Sequence, residues 1–342
     1  MCLQTDITFR NRYKPAFLVS LLLPIIVLCS CEQSRSLHKS GRLLMGTFVE
    51  VSLAGPDDAA KEAAAAVMRE IQRVEELTSF HKASALSAVN DAAGKGPVKC
   101  DKELLAIIRR ALDISRRSDG AFDPTVGPLT KMWGFSGGEP RVPEPEHIRE
   151  ALPKVGWHLV KVDEAAGTVE LPMEGMSLDL GGIAKGYALE RAVEVIARHN
   201  IPAALINAGG DITAVGEKEP GKPWRVGVQD PRDRRAIRAV VELKDRSIVT
   251  SGDYERFLIK DDRRYHHILN PKTGYPVEGI RSVTIMTSDR TIPDGLAAAV
   301  FVLGTEKGLK LAESMPGVYC LIIDAEDRVS MSPGAAELFQ LR

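Results

Sequence analysis

The amino-acid sequence predicts an α+β fold, and three features support that assignment. Segments with the apolar spacing of helices mix irregularly with short segments typical of strands, without the regular alternation of a doubly wound sheet. Most of the short segments lie in the second half of the chain, several of them separated by turn-forming residues. With 342 residues and 44% hydrophobic content, the chain can bury a sizeable core.

The first half contains the clearest helical patterns. A strand is expected over residues 41–53, followed by a helix over 57–77 with apolar residues at spacings of three and four. A second amphipathic helix is predicted over 101–116, with Asp101 as its N-cap. The remaining elements are a short helix over 143–151, strands over 159–162 and 168–171, and a helix over 183–199.

The second half is richer in strands. They are predicted over 203–207, 212–215, 224–229, 237–243, 247–250, 257–259 and 282–287. A helix then begins near Asp294, with Pro293 at its opening, because proline is favoured in the first turn. A separate helix over 306–314 and a final strand over 318–324 complete the chain.

The N-terminus has the pattern of an export signal. Arg10, Arg12 and Lys14 precede an apolar run of 12 residues at 17–28, which is too short for a comfortable membrane span. The following residues 28–31 (LCSC) resemble a bacterial lipoprotein cleavage box, with Cys31 as the lipidated residue. We therefore expect a signal peptide at 1–30, a polar tether at 31–40 and one folded domain at 41–342. A plain cleaved signal or an uncleaved anchor is the alternative.

Charge and cysteine content exclude several classes of protein. The chain has 45 basic and 46 acidic residues and no cluster of aromatic residues for base stacking, so no nucleic-acid partner is expected. The basic run at 232–235 is interpreted as a solvated turn. Cys100 and Cys320 could form a disulfide in an oxidising compartment or remain as two buried thiols. Their spacing, without nearby ligand histidines, argues against a zinc site.

Glycine-rich segments provide the candidate ligand-binding loops. Gly181 and Gly182 allow close approach to a backbone that enters a helix, and Lys185 adds positive charge near the anion-binding end of that helix. This arrangement suits a phosphate, although a tight helix-entry turn is the alternative. His266 and His267 are adjacent in an extended segment, so at most one of them is expected to face a given site.

Eight motifs, taken together and in order, resemble the ApbE family of FAD:protein FMN transferases. They are residues 45–47 (MGT), 84–90 (SALSAVN), 120–129 (GAFDPTVGPL), 179–188 (DLGGIAKGYA), 207–211 (NAGGD), 251–256 (SGDYER), 267–274 (HILNPKTG) and Asp294 with its helix. The resemblance implies an α+β architecture related to the T-fold, in which the domain at 41–342 holds a flavin between these motifs.

The resemblance also implies roles for individual residues. The expected FAD contacts are Met45, Phe80, Ala121, Phe122, Asp123, Asp179, Lys185 and Leu269. Mg²⁺ is expected at the Gly182 carbonyl and the Asp294 carboxylate. The family usually supplies a threonine hydroxyl one helical turn after that aspartate, where this chain has Ala298, so water is expected to replace that ligand. His267 and Asp294 are the expected catalytic residues, with His267 as the base.

The function implied is Mg²⁺-dependent transfer of FMN from FAD to a Ser or Thr hydroxyl of a target flavoprotein, with release of AMP. The targets would be membrane redox subunits, and the enzyme would be held by lipid on Cys31 at the periplasmic side of a membrane. Two alternatives stay open from the sequence. One is a metal-dependent FAD pyrophosphatase, and the other is a non-catalytic FAD-binding lipoprotein.

Overall fold

An eight-stranded antiparallel sheet is the centre of the protein, which a computed structural model describes over residues 36–342. Residues 1–35, with the predicted signal peptide and Cys31, lie outside the described residues. The strands are β1 (Leu37–Leu44), β2 (Thr47–Ala54), β3 (Val98–Lys99), β4 (Lys161–Asp163), β5 (Thr168–Glu170), β6 (Ala203–Ala208), β7 (Asp211–Val215), β8 (Trp224–Gln229), β9 (Ile237–Leu243), β10 (Ser247–Gly252), β11 (Phe257–Lys260), β12 (Arg263–His266), β13 (Ile280–Thr287), β14 (Tyr319–Asp324), β15 (Val329–Met331) and β16 (Gln340–Leu341).

The strand order of the central sheet is β1-β2-β6-β7-β10-β13-β14-β15. Smaller sheets have the orders β16-β9-β8, β3-β5-β4 and β11-β12. The helices are α1 (Asp57–Thr78), α2 (Ala85–Asp91), α3 (Lys102–Arg117), α4 (Gly127–Trp133), α5 (Pro145–Ala151), α6 (Gly181–Arg198) and α7 (Pro293–Glu313).

The central sheet is covered on both faces. Helices α1, α6 and α7 pack against one face, and the β16-β9-β8 sheet packs against the other. Strand β14 shows why the sequence folds this way: Cys320 and Ile322 face the helices, whereas Leu321 and Ile323 face the small sheet. Because alternate side chains of a strand point to opposite faces, a continuous apolar run is buried on both sides.

Several predicted elements are confirmed. Helix α3 begins after Asp101, whose side chain accepts a hydrogen bond of 2.7 Å from the Leu104 amide. Strands β8 and β9 have the predicted bounds. Within α7, Gly304 has a left-handed φ of 75°, so the chain breaks there into the two helices that were predicted.

The single strand predicted over residues 41–53 is wrong. The chain reverses at Met45 and Gly46, with φ of 52° and 72°, and forms the β1–β2 hairpin. Strand β1 begins at Leu37, so the last four residues of the predicted tether at 31–40 belong to the sheet. Apolar residues stand on both sides of the turn, with Leu43 and Leu44 before it and Phe48 after it, so no run of polar residues marks the reversal.

The structure also differs from the sequence prediction in several short elements and in the basic run at 232–235. Sequence patterns do not predict α2, α4, β3, β12, β15 and β16, each of which has seven residues or fewer. The run at 232–235 is not only a solvated turn, because Arg232 donates two hydrogen bonds of 2.7 and 2.8 Å to the Asp253 carboxylate.

Cys100 and Cys320 are free thiols, and burial raises the pKa of Cys320 to about 12. No helix within residues 36–342 has the length and apolar character to cross a membrane.

Candidate active site

A buried cluster of charge lies where α6, α7 and the β6–β7 turn meet. Lys185 lies early in α6, Asp294 is the second residue of α7, and Asp211 is the first residue of β7. The Lys185 ammonium lies 3.0 Å from Asp211 Oδ2 and also donates a hydrogen bond to Asp294 Oδ2. Both aspartates are buried, with 4% and 8% of their surface exposed. One ammonium therefore bridges two buried carboxylates.

Burial and the neighbouring charges in this cluster shift the pKa values of Lys185 and Asp211. Burial alone would lower the pKa of Lys185, but the neighbouring Asp211 and Asp294 outweigh it and raise the pKa above its usual value. Burial raises the pKa of Asp211 to about 7, and the nearby Asp294 charge acts in the same direction. Two acids and one base leave excess negative charge when all three are ionised, which favours a further cation.

Close packing of α6 against the start of α7 brings backbone oxygens to the same place. A methyl group on Gly186 would clash with the carbonyl oxygen of Thr291 and would lie 2.7 Å from that of Arg290. A methyl group on Gly295 would lie 3.1 Å from the Gly182 carbonyl oxygen. The Gly182 carbonyl is therefore next to the first turn of α7, which carries Asp294.

These oxygens fit a hard divalent cation that keeps some of its water. Within the described residues, no three His, Cys, Asp or Glu side chains form a metal-binding group. Mg²⁺ does not require such a cage, since it is commonly held by one or two carboxylates with waters and substrate phosphates. Asp294 and the Gly182 carbonyl supply suitable oxygens, whereas Ala298, four residues further along α7, offers none.

The two adjacent histidines have different surroundings. His266 is buried, with its ring edge-on to Phe301 and Nε2 2.7 Å from the Val277 carbonyl oxygen. His267 Nδ1 is buried and has no hydrogen-bond partner within the described part of the chain. Burial, with the positive charge of Arg256 nearby, lowers the pKa of His267 to about 3. His267 is therefore a neutral imidazole with an unused nitrogen.

Two predicted FAD-binding aspartates hold the loops around the cluster. Asp179 accepts hydrogen bonds from the Gly181 amide at 2.9 Å and from the hydroxyls of Thr130 and Ser136 at 3.0 Å, which fixes the start of α6. Asp123 accepts bonds from the amide and hydroxyl of Thr125 and from the Trp157 amide. Burial raises the pKa of Asp123. Both carboxylates accept hydrogen bonds from backbone amides and from hydroxyl side chains of the protein.

The apolar residues predicted to contact FAD lie in three places. Ala121 and Phe122 are buried, and methyl groups on Gly182 and Gly295 would lie 2.9 and 3.3 Å from the Phe122 ring. Leu269 is buried in a separate cluster with Leu129 and Trp133. Phe80 is partly exposed under the Lys131 ammonium, 5.2 Å from its ring centroid, and Met45 occupies the β1–β2 turn.

The structure thus joins Gly182, Lys185 and Asp294 with Phe122, and it adds Asp211. Sequence reasoning singled out the NAGGD motif but gave Asp211 no role. A single acidic residue directly after a Gly-Gly turn was the available signal, because that turn holds the next side chain in a fixed position.

Comparisons with known proteins find relatives that cover most of the chain. The model of the ApbE family matches residues 45–322. A FAD:protein FMN transferase of Treponema pallidum is 37% identical over 336 residues, covering 92% of this chain and 93% of that protein. A FAD:protein FMN transferase of Klebsiella pneumoniae is 34% identical, covering 85% and 93%.

Solved structures show the same architecture. The ApbE protein of Thermotoga maritima superposes with a TM-score of 0.82 and 36% identity, covering 87% of this chain and 97% of that one. The flavinyl transferase ApbE of Pseudomonas stutzeri gives a TM-score of 0.79 at 29% identity, covering 89% and 97%. The predicted α+β, ApbE-like fold is confirmed, and the chain belongs to the ApbE family.

Proposed function

We propose that this protein is an Mg²⁺-dependent FAD:protein FMN transferase. It moves FMN from FAD to a Ser or Thr hydroxyl of a target flavoprotein and releases AMP. The observation that carries the proposal is Lys185 between two buried carboxylates at the starts of α6 and α7. Relatives covering most of the chain are named for the same activity.

The reaction exchanges one phosphorus–oxygen bond for another. The acceptor oxygen forms a bond to the FMN phosphorus, and the bond from that phosphorus to the bridging oxygen of the pyrophosphate breaks. The acceptor hydroxyl loses its proton, and the electron pair of the broken bond leaves with AMP. Lys185 and the amides at the start of α6 would hold the phosphate oxygens, because a helix N-terminus and an ammonium both favour negative charge.

The Asp294 carboxylate and the Gly182 carbonyl would hold Mg²⁺. When bound, this ion would neutralise charge that builds on the phosphate oxygens during transfer. Ala298 offers no hydroxyl, so a water would complete that side of the metal shell. The buried cluster has two carboxyl groups and one ammonium, so a cation bound at Asp294 would be favoured when both carboxyl groups are ionised.

His267 is the residue we assign to the acceptor proton. Its neutral ring and its Nδ1, which has no hydrogen-bond partner within the described residues, suit proton acceptance, although its low pKa makes it a weak base. Negative phosphate groups bound nearby would raise the pKa of His267 toward the useful range, because an opposite charge favours the protonated form.

The enzyme would act at a membrane surface. Residues 28–31 support lipidation of Cys31, and β1 begins at Leu37, six residues later. Six residues span at most about 20 Å when fully extended, so the folded domain would be held close to the bilayer. This placement suits membrane redox subunits on the periplasmic side as acceptors. Cys31→Ala would release the protein from membranes, and retention of that variant on membranes would contradict the anchor.

The activity is tested by incubating the purified protein with FAD, Mg²⁺ and a candidate flavoprotein subunit. Covalent in-gel flavin fluorescence on the acceptor, lost when EDTA is added, is the expected result. Release of AMP with free FMN and no labelled acceptor would instead identify a FAD pyrophosphatase. Tight FAD retention without AMP release would identify a binding protein.

A further inference from the structure

Asp211 is held rigidly at the edge of the charge cluster. The β6–β7 turn at Gly209 and Gly210 has φ of 64° and 101°, a conformation that favours glycine at both positions. The Gly209 amide donates to the Phe48 carbonyl at 3.2 Å, and the Gly210 amide donates to Asn207 Oδ1 at 2.8 Å. Asp211 follows directly as the first residue of β7, so its carboxylate has little freedom to move.

The Asp211 carboxylate forms an ion pair with Lys185. Within the described residues, Lys185 is the one basic side chain that lies within 4 Å of it, with Nζ 3.0 Å from Oδ2. The two residues lie on different elements, β7 and α6, and both side chains are mostly buried. A buried carboxylate without a partner would be costly, so the contact to Lys185 accounts for its charge.

Lys185 has a second partner, Asp294, which the proposed function assigns to the metal ion. Its ammonium also donates a hydrogen bond to Asp294 Oδ2. A metal ion at Asp294 would repel that ammonium, since both are cations. Lys185 must then leave Asp294, and Asp211 is the carboxylate that remains to hold it.

We infer that Asp211 is a positioning residue that retains Lys185 in the site when Asp294 binds Mg²⁺. This inference rests on the proposed function for the identity of the metal and of the phosphate ligand. Asp211 acts on Lys185, and Lys185 meets the pyrophosphate. Without Asp211, Lys185 would have Asp294 as its remaining carboxylate partner and would compete with Mg²⁺ for it.

A double-mutant cycle with Asp211→Asn and Lys185→Met tests this role. Mg²⁺ is titrated into the protein–FAD complex, and binding is followed by flavin fluorescence and calorimetry, so neither acceptor nor turnover is needed. In the wild-type background Asp211→Asn should weaken Mg²⁺ binding by about 10- to 100-fold, the range found when partners of ligating groups are removed. In the Lys185→Met background the same substitution should change it by less than about threefold, because the competing ammonium is gone.

Kinetics give a second readout. Asp211→Asn should lower kcat for FMN transfer more than it raises KM for FAD, because Lys185 remains present but misplaced.

Asp324→Asn is the matched control for Asp211→Asn. Asp324 is also a buried carboxylate and pairs with Arg328, and it lies on β14, three strands from β7. This control should leave the Mg²⁺ affinity unchanged. If Asp211→Asn does not fold, Asp211→Ser enters the same cycle.

The outcomes separate this inference from the proposed function. An equal loss of Mg²⁺ affinity in both backgrounds would overturn the inference, because Asp211 would then act without Lys185. An unchanged Mg²⁺ affinity in the wild-type background would overturn it as well. If the cycle behaves as expected but no acceptor is ever labelled, the proposed function fails while the role of Asp211 stands.

Discussion

The neutral state of His267 leads to a quantitative prediction about how the stability of the folded protein depends on pH. The pKa of His267 is lowered from 6.5 to about 3 because its ring is buried beside positive charge. Between these two values the unfolded chain binds a proton at His267 that the folded protein does not. The stabilising free energy is therefore present above pH 6.5 and is lost as the pH falls toward 3.

The size of the effect follows from the shift. Each pH unit in this window costs about 1.4 kcal/mol, so at about pH 4.5 the penalty is about 3 kcal/mol, against well under about 1 kcal/mol at pH 7. Replacing His267 with Gln removes the titrating group. Between about pH 7 and pH 4.5, the wild-type protein should therefore lose about 2 to 3 kcal/mol more stability than the variant.

Urea unfolding of both proteins at the two pH values measures this difference directly. The exposed His147 on α5 provides a matched control, and His147→Gln should follow the wild type. If His267→Gln loses as much stability as the wild type over this pH range, His267 is not held neutral by its burial. The assignment of His267 as the proton acceptor would then lose its physical basis.

Three further predictions concern the metal site and the packing that forms it. Asp294→Asn should abolish Mg²⁺-dependent AMP release from FAD, measured by chromatography, while FAD still binds; unchanged AMP release would remove Asp294 from the metal shell. Ala298→Thr should lower the Mg²⁺ concentration for half-maximal activity several-fold by supplying a hydroxyl one turn after Asp294; an unchanged or higher requirement would show that this position does not face the metal. Gly186→Ala should destabilise the fold by about 1–3 kcal/mol in urea unfolding, because its methyl group would meet the Arg290 and Thr291 carbonyl oxygens. Gly138→Ala, whose methyl group would meet its nearest atom at 3.4 Å, should cost less, and equal losses would contradict the packing argument.

The sequence predicts the core elements well where local patterns and burial agree. Helix α1 combines helix-forming residues with apolar spacing, and Val67 and Ile71 are buried as that spacing requires. The N-cap Asp101 and the opening Pro293 mark helix starts through local chemistry, without help from tertiary contacts. These signals lie within a few residues of one another and can be read along the chain.

Features that depend on tertiary contacts could not be predicted from the sequence. The β1–β2 reversal depends on Met45 adopting a left-handed conformation, which no residue preference of methionine indicates. The cluster of Lys185, Asp211 and Asp294 joins residues up to 109 positions apart, so their spacing along the chain carries no information about it. The family resemblance brought Lys185 and Asp294 together, but the partnership of Asp211 with Lys185 required coordinates.

The central claim is that FMN leaves FAD and becomes bonded to a protein hydroxyl. Intact-mass spectrometry of a candidate acceptor, after incubation with this protein, FAD and Mg²⁺, tests it most directly when AMP is quantified in the same reaction. We expect one FMN on the acceptor for each AMP released, and no addition when the modified Ser or Thr is replaced by Ala. AMP released together with an equal amount of free FMN, and an acceptor of unchanged mass, would contradict it.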